Sequence, residues 1–355
     1  MSEQLRTALA TIVEGGTLTL DEARAAMGAV MDGEATPSQL AALLMGLRMR
    51  GETVDELAGF ASAMRERVVR VEAPQGSIDV VGTGGDGSGT FNISTTAALV
   101  VAAAGVPVAK HGNRAITSRS GSADVLDALR IRIDHDAASA GQALREHGFA
   151  FLFAPTFHPA MRHAGPTRRE IGVRTAFNLL GPLTNPAGAT RGLIGVGVAE
   201  AAPRVAEVIA RLGTERTFVI HGEGVDELPL DDTGVLYDVG PEGVERHEIK
   251  ASALGFKTAS TSKLRGGTAE ENARLVEGVL RGEPGVRRDV VLLNAGAALL
   301  VAGVVDRMEE GIEKATFAVD AGLAGELLST LRAERRAADA AAASAPKASP
   351  AGSPS

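Results

Sequence analysis

"DVVGTGGDGSGTFNISTT", residues 79–96, places five glycines directly after a short apolar run. Glycine loses more conformational freedom on folding than any other residue. Such a concentration therefore marks a place where bare backbone must turn tightly or approach something closely. Residues 78–82 read as a strand, 82–91 as a loop, and "STTAALVVAAA" from Ser94 as a helix that ends at Gly105, capped by Asn92 or Ser94. A glycine loop between a strand and a helix N-terminus converges N–H groups at the positive end of the helix dipole, which makes an anion cradle. The spacing is neither G-x-G-x-x-G nor G-x-x-x-x-G-K-[ST]: no Lys follows, and Asp86 lies inside the loop. A nicotinamide or ATP site would lack its key residues. A plain tight turn is the competing reading.

The next strand runs into "KHGNRAITSRSGSADVL", residues 110–126, which weighs against a plain turn. Lys110, His111, Asn113, Arg114 and Arg119 stand among Thr117, Ser118, Ser120 and Ser122. Cations and hydroxyls at the carboxyl end of an adjacent parallel strand suit a phosphorylated ligand in the sheet crevice. Two anion-binding elements on neighbouring strands point to one ligand with phosphates at both ends.

Outward from this pair the chain has two textures. Before Pro74 it is helical, with "TLDE", "TPSQ" and "TVDE" each pairing a Thr (19, 36, 53) with Glu22, Gln39 or Glu56 as capping boxes. Pro37 fits a first helical position, and Gly15, Gly33 and Gly51 fit the C-terminal caps. Leu40, Leu43, Leu44 and Leu47 form one buried stripe. After Pro74, β-rich runs alternate with helical stretches at 94–104, 122–130 and 201–212, which predicts an α/β unit with a mostly parallel central sheet flanked by helices. The segment 168–188 shows no clear strand. The expected organisation is a small N-terminal helical domain, 1–73, completed by about 165–188, and a larger α/β domain, 74–164 with 189–336. From Ala337 the Ala/Ser/Pro tail to residue 355 reads as disordered.

The 355 residues are 45% hydrophobic, enough for two cores. A net charge of −8 argues against wrapping nucleic acid, so a phosphate ligand must be held by local groups. The absence of cysteine fits a reducing compartment, and the N-terminus has no signal-peptide core, so the expectation is a cytoplasmic protein without membrane contact.

Together "GTGGDG…TFNIST", "KHGNRAITSRSGSADVL", "FNLLGPLTNP" and "VDEL" resemble the anthranilate phosphoribosyltransferase family, from the N-terminal helices to about residue 335. One departure is Arg130, where relatives usually carry Gly. The resemblance implies that Gly82, Gly85, Asp86 and Thr90 hold the pyrophosphate of phosphoribosyl pyrophosphate. It implies that Asn92, Ile93, Ser94 and Thr95 contact the same ligand at the helix start, and that Lys110, His111, Gly112, Asn113, Arg114, Ser118 and Ser122 surround the ribose phosphate and neighbouring oxygens. For anthranilate it implies Gly82, His111, Asn113 and Arg168, the last a guanidinium suited to a planar carboxylate. For Mg²⁺, two ions per subunit, it implies Asp226, Glu227 and Ser94, whose hard oxygens fit that cation. The resemblance further implies that Lys110, Asp226 and Glu227 carry the catalytic electrostatics, with no general base assigned.

Arg162, Arg169 and Arg174 read as solvated or structural, and His158 and His163 as helix residues. The family also implies a homodimer through the helical domain. The competing expectations are a pyrimidine nucleoside phosphorylase of the same architecture and a non-catalytic nucleic-acid-binding relative. The glycine loop, the Asp226–Glu227 pair, the acidic charge and Arg168 speak against them.

Overall fold

The computed structural model describes residues 2–84, 87–115, 119–222, 224–231 and 233–344. The chain opens with four helices, α1 (Glu3–Val13), α2 (Leu20–Met31), α3 (Pro37–Arg50) and α4 (Val54–Glu66). All three expected capping boxes close with both reciprocal bonds, at Thr19–Glu22, Thr36–Gln39 and Thr53–Glu56. Gly15 and Gly33 take positive φ just past α1 and α2, and Gly51 (φ 93°) caps α3. The four leucines of α3 are sealed from solvent; burying each is worth roughly 2 kcal/mol.

The α/β part follows as β1 (Ile78–Gly82), α5 (Ile93–Ala103), β2 (Val108–Gly112), α6 (Ser122–Ala128), α7 (Ala137–His147) and β3 (Phe149–Phe153). Three short helices come next, α8 (Ala154–Phe157), α9 (Gly165–Ile171) and α10 (Phe177–Leu180), with a 3₁₀ turn at Pro159–Arg162 between the first two and another at Gly181–Leu183 after the last. Then come β4 (Arg191–Gly195), α11 (Ala202–Leu212), β5 (Arg216–His221), β6 (Thr233–Gly240) and β7 (Gly243–Lys250). Four more helices close the chain, α12 (Ala269–Leu280), α13 (Val286–Ala302), α14 (Met308–Asp320) and α15 (Leu323–Ser344).

Among the described residues, seven strands form one sheet in the order β3-β2-β1-β4-β5-β6-β7. The first five are parallel, and β6 and β7 add an antiparallel edge. The chain winds from β1 outward to β3, then returns to the other side of β1 with β4. That reversal puts a topological switch point between β1 and β4, where open α/β sheets bind ligands at the strands' carboxyl ends. One apolar cluster joins β1, β2 and β5 to α5, α12 and α13; a second joins the N-terminal helices to Phe177, Leu180, Leu183, β4 and α11. No strand occurs within 168–188.

Two differences from the sequence expectations stand out. The β6–β7 hairpin is absent from the sequence reading, because β7 reads "GVERHEIK" and is largely solvent-facing; charged side chains protect an edge strand from further pairing. The tail expected to be disordered from Ala337 instead continues α15 through Ser344. Arg332 pairs with Glu277 and Arg335 with Asp127, so the helix is anchored, and a run of alanines extends an existing helix at little cost. Residues 345–355 lie outside the described residues.

Candidate active site

The two glycines that close β1 and β4, Gly82 and Gly195, are register partners at the switch point. A Cβ on Gly82 would collide with the Asp226 carboxylate, and one on Gly195 with the Asp226 backbone carbonyl. Only glycines let the loop after β5 lie across the ends of both strands. The Gly84 N–H then donates to Asp226 Oδ2 at 2.8 Å, while Glu227 is buried beside it. Downstream, the loop is pinned from another direction: Thr90 bridges to Arg265, the Phe91 N–H donates to the Leu264 carbonyl (2.9 Å), and the Gly266 N–H donates to that of Gly89 (2.9 Å). Gly85 and Asp86 lie outside the described residues, as do Thr117 and Ser118.

At α5, Asn92 holds the N-cap position without a side-chain cap bond; Thr95 is buried and Ser94 partly exposed in the first turn. Asn92 Nδ2 donates to the Ser120 carbonyl (3.3 Å), tying the glycine loop to the loop after β2.

Lys110 and His111 are neighbours on β2, so their side chains leave on opposite faces. Lys110 is 1% exposed and its Nζ donates to the Val80 carbonyl at 2.5 Å. Burial pushes its pKa down to about 8 against the attraction of Asp79, Glu227 and Asp226. The ammonium therefore sits in the field of both carboxylates of the "VDEL" segment. His111 faces the other way, with Nδ1–H donating to the Gly181 carbonyl at 3.1 Å and its ring 5.0 Å from that of His158. Burial, aided by His158, holds His111 down to about 3, so it stays neutral near pH 7.

Arg168 on α9 places its guanidinium 4.7 Å over the Phe177 ring, at the start of the short helix that ends beside Gly181. Burial is the sole cause lowering its pKa, and no carboxylate pairs with it among the described residues. A partly buried, uncompensated guanidinium is suited to an incoming carboxylate.

Other expected site residues also make contacts within the fold. Arg114 is exposed and bonded to Asp124 (2.9 Å) and Asp127 (3.4 Å), so its guanidinium braces α6. Asn113 uses its Oδ1 for the Arg114 N–H and its carbonyl for Ser122 Oγ, which shapes the turn into α6. Gly112 ends β2, where a side chain would run into Ser122 and Phe151. Ile93 is packed into the core below α5. His158 is not a helix residue: it lies buried between α8 and the following 3₁₀ turn, against His111. His163 is exposed and packs at Gly33.

The buried Asp79 and Asn272 and the partly buried Asn185 escape the sequence reading. Asp79 accepts the His111 N–H (3.2 Å) and Asn185 Nδ2 (2.6 Å), and burial raises it to about 6. Asn185 also donates to the Ala109 carbonyl (2.8 Å), linking the β1 and β2 strands to the 181–187 segment. Asn272, 2% exposed, donates to Asn92 Oδ1 at 2.9 Å. A lone acid inside the apolar run "IDVVG" is the one available signal for Asp79; Asn185 and Asn272 carry none.

The donor set at the switch point fits a hard divalent cation. Asp226 and Glu227 supply two adjacent carboxylates, and Mg²⁺ binds through one or two of these together with substrate phosphates. Among the described residues no larger cluster of His, Cys, Asp and Glu is assembled, and no helix is long and apolar enough to cross a membrane.

Family models described as the helical bundle domain and the a/b domain of the glycosyl transferase family match residues 6–68 and 74–325. Anthranilate phosphoribosyltransferase of Azorhizobium caulinodans is 50% identical over 330 residues, 93% of this chain and 96% of the relative. That of Thermomicrobium roseum is 51% identical over 330 residues, 91% of this chain and 95% of the relative. The crystal structure of the Thermus thermophilus enzyme of this name superposes with a TM-score of 0.88 at 46% identity, covering 93% of this chain and 99% of that one. The Saccharomyces cerevisiae enzyme in complex with PRPP and Mg gives 0.86 at 26% identity, covering 95% and 99%. At these identities, over nearly the full length of both chains, this chain belongs to the anthranilate phosphoribosyltransferase family.

Proposed function

We propose that the chain transfers the phosphoribosyl group of phosphoribosyl pyrophosphate to the amine of anthranilate, releasing pyrophosphate, as a step of tryptophan biosynthesis in the cytoplasm. The observation that carries this reading is the opposed pair on β2. The Lys110 Nζ, bonded to the Val80 carbonyl, feels the attraction of Asp79, Glu227 and Asp226, while His111 on the opposite face bonds the Gly181 carbonyl, just past the short helix whose Phe177 carries Arg168. One strand end thus addresses two substrates of different chemistry. The S. cerevisiae relatives solved with PRPP and Mg and with 4-fluoroanthranilate support both assignments.

On the donor side, the N–H groups of the glycine loop, the uncapped start of α5 and the Lys110 ammonium meet a pyrophosphate where its charge grows as it departs. Gly82, Thr90, Asn92, Ser94 and Thr95 line that approach, with Gly112, Asn113 and Ser122 toward the ribose phosphate. Asp226, Glu227 and Ser94 would hold Mg²⁺, two ions per subunit. When bound, the metal screens and polarises the phosphate oxygens. On the acceptor side Arg168 grips the carboxylate, with Asn113, Gly82 and neutral His111 near the ring. An arylamine is already neutral near pH 7, so no general base is assigned, and positioning the two substrates supplies much of the rest. Val13 and Met49, each 84% exposed on α1 and α3, support a homodimer through the helical domain.

The test mixes protein, phosphoribosyl pyrophosphate, Mg²⁺ and anthranilate and follows the loss of anthranilate fluorescence. Asp226→Asn combined with Glu227→Gln should abolish turnover at any Mg²⁺ concentration. Retained Mg²⁺-dependent turnover would remove the metal assignment, and phosphorolysis of thymidine or uridine by the wild type would replace the whole reading.

A further inference from the structure

We propose that Asn272 is a positioning residue that keeps the start of α5 open for the phosphoribosyl donor; the inference rests on the donor site described above. An asparagine at an N-cap ordinarily turns its side chain onto its own helix and satisfies an N–H of the first turn. Asn92 occupies that position and makes no such bond. Thr19, Thr36, Thr53, Asp136 and Thr268 all close their caps at the starts of α2, α3, α4, α7 and α12. Ser2 at the start of α1 also leaves its cap open, its Oγ donating to Gln4 Oε1 instead, so an open cap has a local cause in each case.

At Asn92 that cause is a lateral pull. Asn92 Oδ1 accepts from Asn272 Nδ2 at 2.9 Å and from Ser120 Oγ at 3.4 Å, while its own Nδ2 donates to the Ser120 carbonyl. Asn272 has no freedom to turn away. It is 2% exposed, and its Oδ1 accepts the Gly267 N–H at 2.7 Å, which leaves Nδ2 facing Asn92. The glycine at 266 belongs to the same arrangement, since a Cβ there would strike the Asn272 carboxamide and the Phe91 backbone. With Asn92 held sideways, its oxygen cannot fold onto the first-turn N–H groups of α5. Those groups stay directed at the donor's phosphates, where a helix N-terminus has its anion-binding value. Asn272 touches no substrate; it acts through Asn92.

Asn272→Asp keeps an oxygen for the Gly267 N–H and deletes the donor to Asn92. The KM for phosphoribosyl pyrophosphate should rise about tenfold while that for anthranilate stays within about twofold, as a lost charge-assisted contact on one substrate only would give. Asn272→Ala, run in parallel, should show the same split even if its melting temperature falls. In an Asn92→Ala background, Asn272→Asp should add no further rise, because without the Asn92 carboxamide nothing is left to fold onto the start of α5. The inference is overturned if Asn272→Asp folds and leaves the donor KM unchanged, if both KM values rise together, or if the two substitutions multiply. If Asn92→Ala alone leaves the donor KM unchanged, the donor site itself is misplaced, a different failure from the one that indicts Asn272.

Discussion

Gly82 and Gly195 face each other in register across β1 and β4, and Asp226 fills the space that a side chain on either would require. The two positions differ in what they confront. A methyl on Gly195 meets the Asp226 backbone carbonyl, whereas one on Gly82 meets the carboxylate. Gly195→Ala should therefore lower stability by about 1–3 kcal/mol, the range for overpacking. Gly82→Ala should leave the melting temperature nearer wild type and raise the Mg²⁺ concentration needed for half-maximal rate. Thermal melts and Mg²⁺ titrations check the order; equal melts for the two variants would contradict it.

Arg168 stands over Phe177 with no carboxylate partner among the described residues. Arg168→Lys keeps a charge but loses the planar fork and the stacking, so it should behave more like alanine than like arginine. A loss of about 2–3 kcal/mol of charge-assisted bonding corresponds to a roughly 30- to 150-fold rise in the KM for anthranilate. The donor KM should hardly move. Equal rises for both substrates would remove Arg168 from the acceptor site.

Lys110 is buried and its pKa is pushed down to about 8. Its cationic form, the one a pyrophosphate needs, predominates below that value and is lost above it. The kcat/KM for phosphoribosyl pyrophosphate should accordingly fall as pH rises through about 8, reporting the free enzyme. Lys110→Met should abolish that fall and lower the neutral-pH value by roughly tenfold or more, in the range of a lost electrostatic contact to developing charge. A pH profile that is unchanged in the variant would assign the titration elsewhere.

Arg130 sits at φ 62°, the one positive-φ residue other than glycine among the described residues. Its side chain is exposed. The left-handed conformation costs an L-residue about 1–2 kcal/mol, partly offset by the greater freedom glycine adds to the unfolded chain. Arg130→Gly should gain about 1 kcal/mol, a rise of roughly one or two degrees in melting temperature at this size, with kinetic constants unchanged. A lower melting temperature would show that the arginine side chain is contributing contacts.

Much of this protein is legible in its sequence because local chemistry acts over a few residues. The three Thr-led capping boxes, the leucine stripe of α3 and the strand–glycine loop–helix of 78–103 all form where the sequence places them. The motifs also single out Lys110, Arg168 and the Asp226–Glu227 pair as candidates for the proposed site. Arg130 stands out in the sequence as a departure, but its cost is readable only from its φ.

What tertiary structure alone decided is which side chains meet. Arg114 reads as a phosphate ligand, and the fold pairs it with Asp124 and Asp127. His158 reads as a helix residue and lies against His111, far from it along the chain. Asp79 and Asn185 join across 106 residues, and Asn92 and Asn272 across 180. Periodicity and capping follow from neighbours three or four residues apart, so a sequence displays them. A hydrogen bond between distant residues depends on strand order and on how helices pack over the sheet, and those are fixed only when the whole apolar core closes.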